Sequence, residues 1–375
     1  MKIAIIGQKG IPARFGGVER HVEDLAVLLV ERGLEVLAYT RPNYTPENSK
    51  SYKGVELVSI PSLPTKHLDA ITHTFLAILD LAFRRRDVDI VHFHSIGPSS
   101  LIWLVKLLRP RLPIIATFHT QCYHHGKWGG FARGYLKFGE RMICSLPNRT
   151  ITVSRGLFDY VKKMYNGNFV YIPNGVARKE QVELKEVVKW GLEKDGYFLV
   201  VSRLVRHKGI HHVIKAYNRL KTDKKLVIVG ASAFTDDYIK ELLTLAAPNQ
   251  KIIFTDNQAG RTLEELFSNA YLFVQPSESE GLSIALLEAM AYNLPVVSSD
   301  IPENLEVIEN AGIIFENKNV DDLIVKLIYC LENPEVLAKK KALALKKVLT
   351  EYDWEKIVDK IVLEYEKVLE VRRDS

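Results

Sequence analysis

The chain has only three cysteines, Cys122, Cys144 and Cys330, scattered through 375 residues. That usage excludes a disulfide framework, and without a C-x-x-C spacing it offers no thiolate metal site. A reducing, cytoplasmic setting fits. Long apolar runs are also missing. The first, KIAII, ends at Gly7 and is too short for a signal peptide. The longest in the first half, SLIWLVKLL at 100–108, is interrupted by Lys106 and falls well short of the ~20 residues a membrane span needs. With Arg109 and Arg111 behind it, this segment has the makings of a helix at the inner face of a membrane. A buried crossover helix is the preferred reading. No strong imbalance of charge exists: the net charge of +6 is spread along the chain. It favours anionic ligands in general and does not mark a nucleic-acid protein. Short repeats and low-complexity tracts are absent as well.

What the chain does have is alternation. Its length exceeds what one hydrophobic core holds, so two domains are expected. Runs rich in Val and Ile, apolar at successive positions, read as strands buried on both faces: Lys2–Gly7, Glu35–Thr40, Val55–Ile60, Asp89–His94, Pro113–His119, Thr150–Val153 and Phe169–Ile172. Helical patterns such as 18–32 and 68–86 separate them. The alternation pauses in a highly charged stretch, then restarts with strands expected at Tyr197–Ser202, Leu226–Gly230, Lys251–Thr255, Tyr271–Gln275, Pro295–Ser299 and Gly312–Phe315. The expected architecture is α/β: two Rossmann-like, doubly wound parallel sheets facing a central cleft. The expected boundaries are residues 1–177, a charged linker over 178–195, residues 196–350, and a C-terminal amphipathic helix over 351–375 able to pack back on the first domain. Trp354, Ile357, Ile361, Leu363, Tyr365 and Leu369 would supply its apolar stripe.

Three loops at strand ends carry candidate chemistry. GQKGIPARFGGV at 7–18 brings Gly16 and Gly17 to the start of a helix, where free backbone N–H groups suit a phosphate or a sugar. It is neither the dinucleotide G-x-G-x-x-G nor a P-loop. SRLVRHKG at 202–209 puts Arg203 and Lys208 at the corresponding turn of the second half, two cations fit to grip a pyrophosphate without a metal. ESEGLSIALLEAMA at 278–291 places Glu280 in a loop, Ser283 as the N-cap of a helix, and Glu288 beyond that helix's first turn. Two glutamates there suit sugar hydroxyls, and the amides of Gly281, Leu282 and Ser283 suit a phosphate.

These residues resemble family 4 of the retaining glycosyltransferases, enzymes of the two-domain GT-B fold. Glu280 through Glu288 resembles the family's E-x7-E signature; Arg203, Lys208 and Gly209 its S-R-L-x-x-x-K-G segment; and Gly16-Gly17 its glycine turn. The IPNGV at 172–176 and the TVS at 152–154 also match. The resemblance implies that Glu280 holds donor-sugar hydroxyls, Glu288 the ribose, and Arg203 and Lys208 the diphosphate. His119, in TFHT, matches the family's cleft histidine. Glu280, Arg203, Lys208 and His119 form the expected catalytic set. Ser154, Asn174, Gly230 and Phe254 join the donor-binding set. In the family this histidine is usually followed by Asp, here by Thr120, and the usual Asp after N-G-V is Ala177. The opening loop is similar to a branch of surface-polysaccharide transferases, some of which move rhamnose. The expected partners are a nucleotide-sugar donor and a glycan or lipid-linked acceptor; no cofactor and no metal are expected.

Competing readings are a nucleotide-sugar epimerase or phosphorylase on the same fold, a non-catalytic nucleotide-sugar-binding protein, and a nicotinamide-dependent dehydrogenase. The missing G-x-G-x-x-G disfavours the last. Asp87 and Asp89 form a D-x-D, read as a strand-entry loop. His92 and His94 share a strand face and would ligate a metal if a third ligand were supplied, which spacing does not do. His124, His125, Lys127 and Trp128 are expected near the acceptor, and His207, His211 and His212 on an exposed helix start.

Overall fold

The computed structural model describes the chain apart from residues 15, 46–48, 66–67, 125–129, 233–234 and 374–375, and apart from the side chains of residues 124, 131, 372 and 373. Two compact units emerge. The first comprises Met1–Asn174 and Trp354–Ser375, the second Gly175–Asp353.

The first unit is built on an eight-stranded sheet: β1 (Lys2–Ile6), β2 (Glu35–Thr40), β3 (Ser51–Tyr52), β4 (Val55–Ser59), β5 (Ile90–His94), β6 (Ile114–Phe118), β7 (Arg149–Thr152) and β8 (Phe169–Tyr171). Their order across the sheet is β3-β4-β2-β1-β5-β6-β7-β8, and every pairing is parallel except the β3–β4 hairpin. β5 and β6 are buried at every position, as strands covered by helices on both faces must be. The two-residue β3, too short for a periodic signal, is the strand that patterning does not reveal.

The second unit carries β9 (Tyr197–Val201), β10 (Lys225–Val229), β11 (Ile252–Phe254), β12 (Leu272–Gln275), β13 (Val296–Ser299) and β14 (Ile313–Phe315). All are parallel, in the order β11-β10-β9-β12-β13-β14. In both sheets the chain winds one way from the first strand, then returns to its other side. The switch falls between β1 and β5 in one and between β9 and β12 in the other, the places where such sheets bind ligands.

The helix Trp354–Arg373 completes the core of the first unit. Trp354, Ile357, Val358, Ile361, Tyr365 and Val368 join Ile3, Val22, Leu25 and Ile90 in one apolar cluster. Arg32 fastens it with bonds to Glu355 and Asp359. Leu363, expected in the packing stripe, is instead 49% exposed; it falls off the face that Val358 and Val368 extend. The charged stretch expected as a linker is tied into the second unit. The carboxylate of Glu265, on the helix Gly260–Asn269, accepts from the backbone N–H groups of Lys185, Glu186 and Val187. Asp87 and Asp89 both hold Lys2, consistent with a strand-entry role. No helix among the described residues is long and apolar enough to cross a membrane. In the 100–108 segment, Ile102, Leu104 and Val105 are buried while Trp103 and Leu107 are exposed.

Ile361→Ala should lower the unfolding free energy by about 2–5 kcal/mol through loss of packing around a side chain that cannot be replaced by collapse. Leu363→Ala should change it by less than about 0.5 kcal/mol. Chemical denaturation of the two variants checks which face of the helix is docked.

Candidate functional site

In the second unit, the loops after β9 and β12 meet at the switch point. Gly209 makes this possible: it sits at φ +68°, and a Cβ there would stand 1.9 Å from the carbonyl oxygen of Pro276. Glu278 N–H donates to the His207 carbonyl at 2.8 Å, closing the same contact. The result is that Lys208 lies beside Glu280 although 72 residues separate them. The corresponding approach in the first unit is at Gly7 after β1, at φ +132°, where a Cβ would come within 2.2 Å of the His94 carbonyl oxygen at the end of β5.

Glu280 is the centre of a polar network. Its Oε1 accepts from Lys208 Nζ, from Ser277 Oγ at 2.7 Å and from Gln275 Nε2 at 2.9 Å. Among the described residues these three bonds all fall on Oε1. Behind it, Ser299 Oγ donates to the Ser277 carbonyl at 2.6 Å, and Asn304 Nδ2 donates to Ser299 Oγ at 3.0 Å. The ion pair is nearly dry, with side-chain exposures of 13% for Lys208 and 8% for Glu280. A buried carboxylate must have such partners. The motifs name Lys208 and Glu280 separately; the fold pairs them. Glu303, at the start of the helix Pro302–Ile308, has its carboxyl pushed up by burial and by the charge of Glu280.

Ser283 caps the helix Ile284–Ala291, its Oγ accepting from Leu286 N–H at 3.3 Å. Glu288 lies half-buried on the second turn. Arg203 is exposed after β9, Gly230 follows β10, and Phe254 ends β11 packed partly against the core. His211 is a correction: it is buried, with Nδ1 2.8 Å from the Tyr238 hydroxyl, because the helix Ile210–Tyr217 turns that face inward. Burial and the neighbouring His212 hold its pKa down to about 4. Glu278 lies 3.1 Å from His212 and 3.2 Å from Lys318. Burial opposes its ionisation, but those two partners outweigh it and keep its carboxyl below the ordinary range.

In the first unit, Gly16 caps and Gly17 begins the helix Gly17–Glu31, with Glu19 in its first turn. Ser154 caps the helix Arg155–Met164. The same unit gathers His21, His92, His94 and His119, all buried. His94 Nδ1 lies 3.1 Å from His119 Nε2, and His92 is held between Tyr365 and Thr117 at 2.8 Å each. Asn174 is the polar neighbour of His21. Burial holds His21 and His92 to about 3, and holds His94 and His119 well below the ordinary value. His125, Lys127, Trp128 and the side chain of His124 lie outside the described residues.

The fold therefore brings Lys208, Glu280, Ser283 and Glu288 into one region of the second unit. It sets Gly16, Gly17, Ser154, Asn174 and His119 in the first. Sequence reasoning missed Gln275, Ser277, Ser299, Asn304 and His21. A glutamine ending the apolar strand LFVQ was the one available signal; His21 looked like any polar position on an amphipathic helix.

Two family models match the chain: glycosyltransferase family 4 over residues 15–180 and glycosyl transferases group 1 over residues 183–347. Among curated proteins, an uncharacterised glycosyltransferase of Methanocaldococcus jannaschii is 27% identical over 99% of both chains. The O-antigen chain mannosyltransferase RfbU of Salmonella typhimurium is 31% identical over 48% of this chain and 50% of its own. Among solved structures, sucrose-phosphate synthase from Thermosynechococcus elongatus has a TM-score of 0.85 at 17% identity, covering 99% of each chain. The Anabaena protein HepE in complex with UDP-glucose scores 0.79 at 17% identity, over 98% of this chain and 100% of that one. With the two doubly wound sheets, these define a glycosyltransferase of GT-B fold. The chain belongs to glycosyltransferase family 4.

Removing one partner of a dry ion pair strands the other. Lys208→Ala should therefore cost about 3–5 kcal/mol of stability, and the Lys208→Ala/Glu280→Ala double variant should cost less than the sum of the two single changes. Denaturant titration of all three variants checks the coupling; additive costs would contradict it. The histidines of the first unit set a pH dependence. Below the ordinary imidazole pKa of 6.5 the unfolded chain binds protons that the native chain refuses down to about pH 3. Stability is thus full above pH 6.5 and falls as pH drops, by up to about 1.4 kcal/mol per pH unit for each such group. A denaturation midpoint that stays flat from pH 6.5 to pH 4 would rule this out.

Proposed function

We propose that the protein is a retaining glycosyltransferase that moves a sugar from a nucleoside diphosphate to an acceptor hydroxyl on a lipid-linked or polysaccharide glycan. The observation that carries this reading is the Lys208–Glu280 pair, supported by Gln275 and Ser277, at the switch point of the second sheet. In this reading Glu280 Oε2 accepts from donor-sugar hydroxyls, while Oε1 stays saturated and keeps the carboxylate oriented. Arg203 and Lys208 take the diphosphate. As the glycosidic bond breaks, the departing phosphate gains charge, and two fixed cations stabilise it more than they stabilise the bound donor. Glu288 holds the ribose hydroxyls, and the amides at Gly281–Ser283 face a phosphate. His119, buried against His94, takes no part in the step as written.

No carboxylate is assigned as a covalent nucleophile. The acceptor then attacks the face the phosphate leaves, and a phosphate oxygen takes the acceptor's proton. The new bond joins the anomeric carbon to the acceptor oxygen, the bond to the phosphate oxygen breaks, and the proton ends on the nucleoside diphosphate. Two cations supply the charge compensation, so the step as written uses no metal or cofactor. A lipid-linked acceptor is supported by an apolar groove of about 420 Å³ in the first unit, lined by Leu63, Ile71, Phe75, Leu76 and Leu101 among others. The name of the Salmonella relative points to the same class of product.

A panel of nucleoside diphosphate sugars, scored by thermal stabilisation and by release of the nucleoside diphosphate, tests the reading. One or more donors should stabilise the chain and be consumed. Glu288→Ala should weaken binding of the bare nucleoside diphosphate in calorimetry without changing which sugar is preferred. Unchanged binding removes Glu288 from the ribose, and failure of every donor removes the transferase reading.

A further inference from the structure

The His-x-His of β5 left open what a third ligand would be, and the fold provides one. One ring nitrogen from each of His21, His94 and His119 lies within 4.8 Å of the other two. The three come from different elements: the helix Gly17–Glu31, β5, and the segment after β6. Their ring centroids are 4.9, 5.4 and 5.6 Å apart, and none is more than 6% exposed. The 3.1 Å between His94 Nδ1 and His119 Nε2 is close to the roughly 3.3 Å that separates two nitrogens bound about 2.0–2.1 Å from one tetrahedral ion.

We propose that His21, His94 and His119 form a binding site for a borderline divalent cation, Zn²⁺ foremost. Three uncharged nitrogens suit Zn²⁺, and a hard, oxygen-seeking ion such as Mg²⁺ or Ca²⁺ would be passed over. A fourth position is left for water or an anionic group. His92 is not a ligand, since Tyr365 and Thr117 occupy both of its nitrogens. The other cluster with suitable atoms among the described residues, His211, His212 and Glu278, already has the ammonium of Lys318 against its carboxylate.

The test is titration of the tag-free, chelator-treated full chain with ZnCl₂ alone and with CoCl₂ alone. One Zn²⁺ per chain should bind with a Kd below about 10 µM and raise the melting temperature. Co²⁺ should give the intense visible bands of a four- or five-coordinate ion. His21→Ala and His94→Ala should each weaken Zn²⁺ binding by roughly tenfold or more, and His212→Ala should leave it unchanged. The absence of a saturable site below about 100 µM, weak octahedral Co²⁺ bands alone, or a loss confined to His212→Ala would each overturn the assignment. The Co²⁺ spectrum of the unaltered chain decides the matter even where a histidine variant fails to fold. Both readouts are independent of transferase activity.

Discussion

A parallel strand cannot be joined to its neighbour by a tight turn, so each sheet in this chain needs a crossover after nearly every strand. Apart from β3, the strands of each sheet therefore run in the same direction and deliver their loops to the same edge. That constraint determines where chemistry can collect. In the second unit it puts the loops after β9 and β12 side by side, where Gly209 lets two backbones meet and Lys208 reaches Glu280. In the first unit it puts the ends of β1, β5 and β6 together, which is why four histidines from distant parts of the sequence share one buried volume.

Much of the architecture is legible from composition alone, for the same physical reason. Strands covered on both faces must be apolar at successive positions, and runs such as IVHFH and YFLVV announce themselves. The hairpin strand β3 is two residues long and lies at an edge, so it leaves no such trace. The docking face of the final helix was readable only in part. The pattern identifies which residues are apolar, but not which of them, Val358 or Leu363, turns inward.

The candidate site divides along the same line. The local placements of Glu280 in a loop and Ser283 at a helix cap were legible because local spacing reports local geometry. The partners that saturate Glu280 were not. Gln275 ends the preceding strand and Ser277 opens the loop, and both are ordinary residues until the carboxylate folds onto them. His211 shows the converse: as a polar residue at a helix start it reads as exposed, yet tertiary packing turns it inward against Tyr238. Pairing across the fold is a tertiary fact, and periodicity carries no information about it.

The first unit is interrupted in sequence: its sheet is made by residues 1–174, but the helix that closes its core is synthesised only after all of the second unit. On the ribosome, the nascent first sheet must therefore wait with the surface destined for Trp354, Ile357 and Tyr365 uncovered. The second unit, continuous from Gly175 to Asp353, has its whole core available earlier. The order of synthesis is thus the reverse of the order in which the two cores can be completed. Until that helix docks, the face stays uncovered, the kind of transiently exposed apolar surface that favours aggregation.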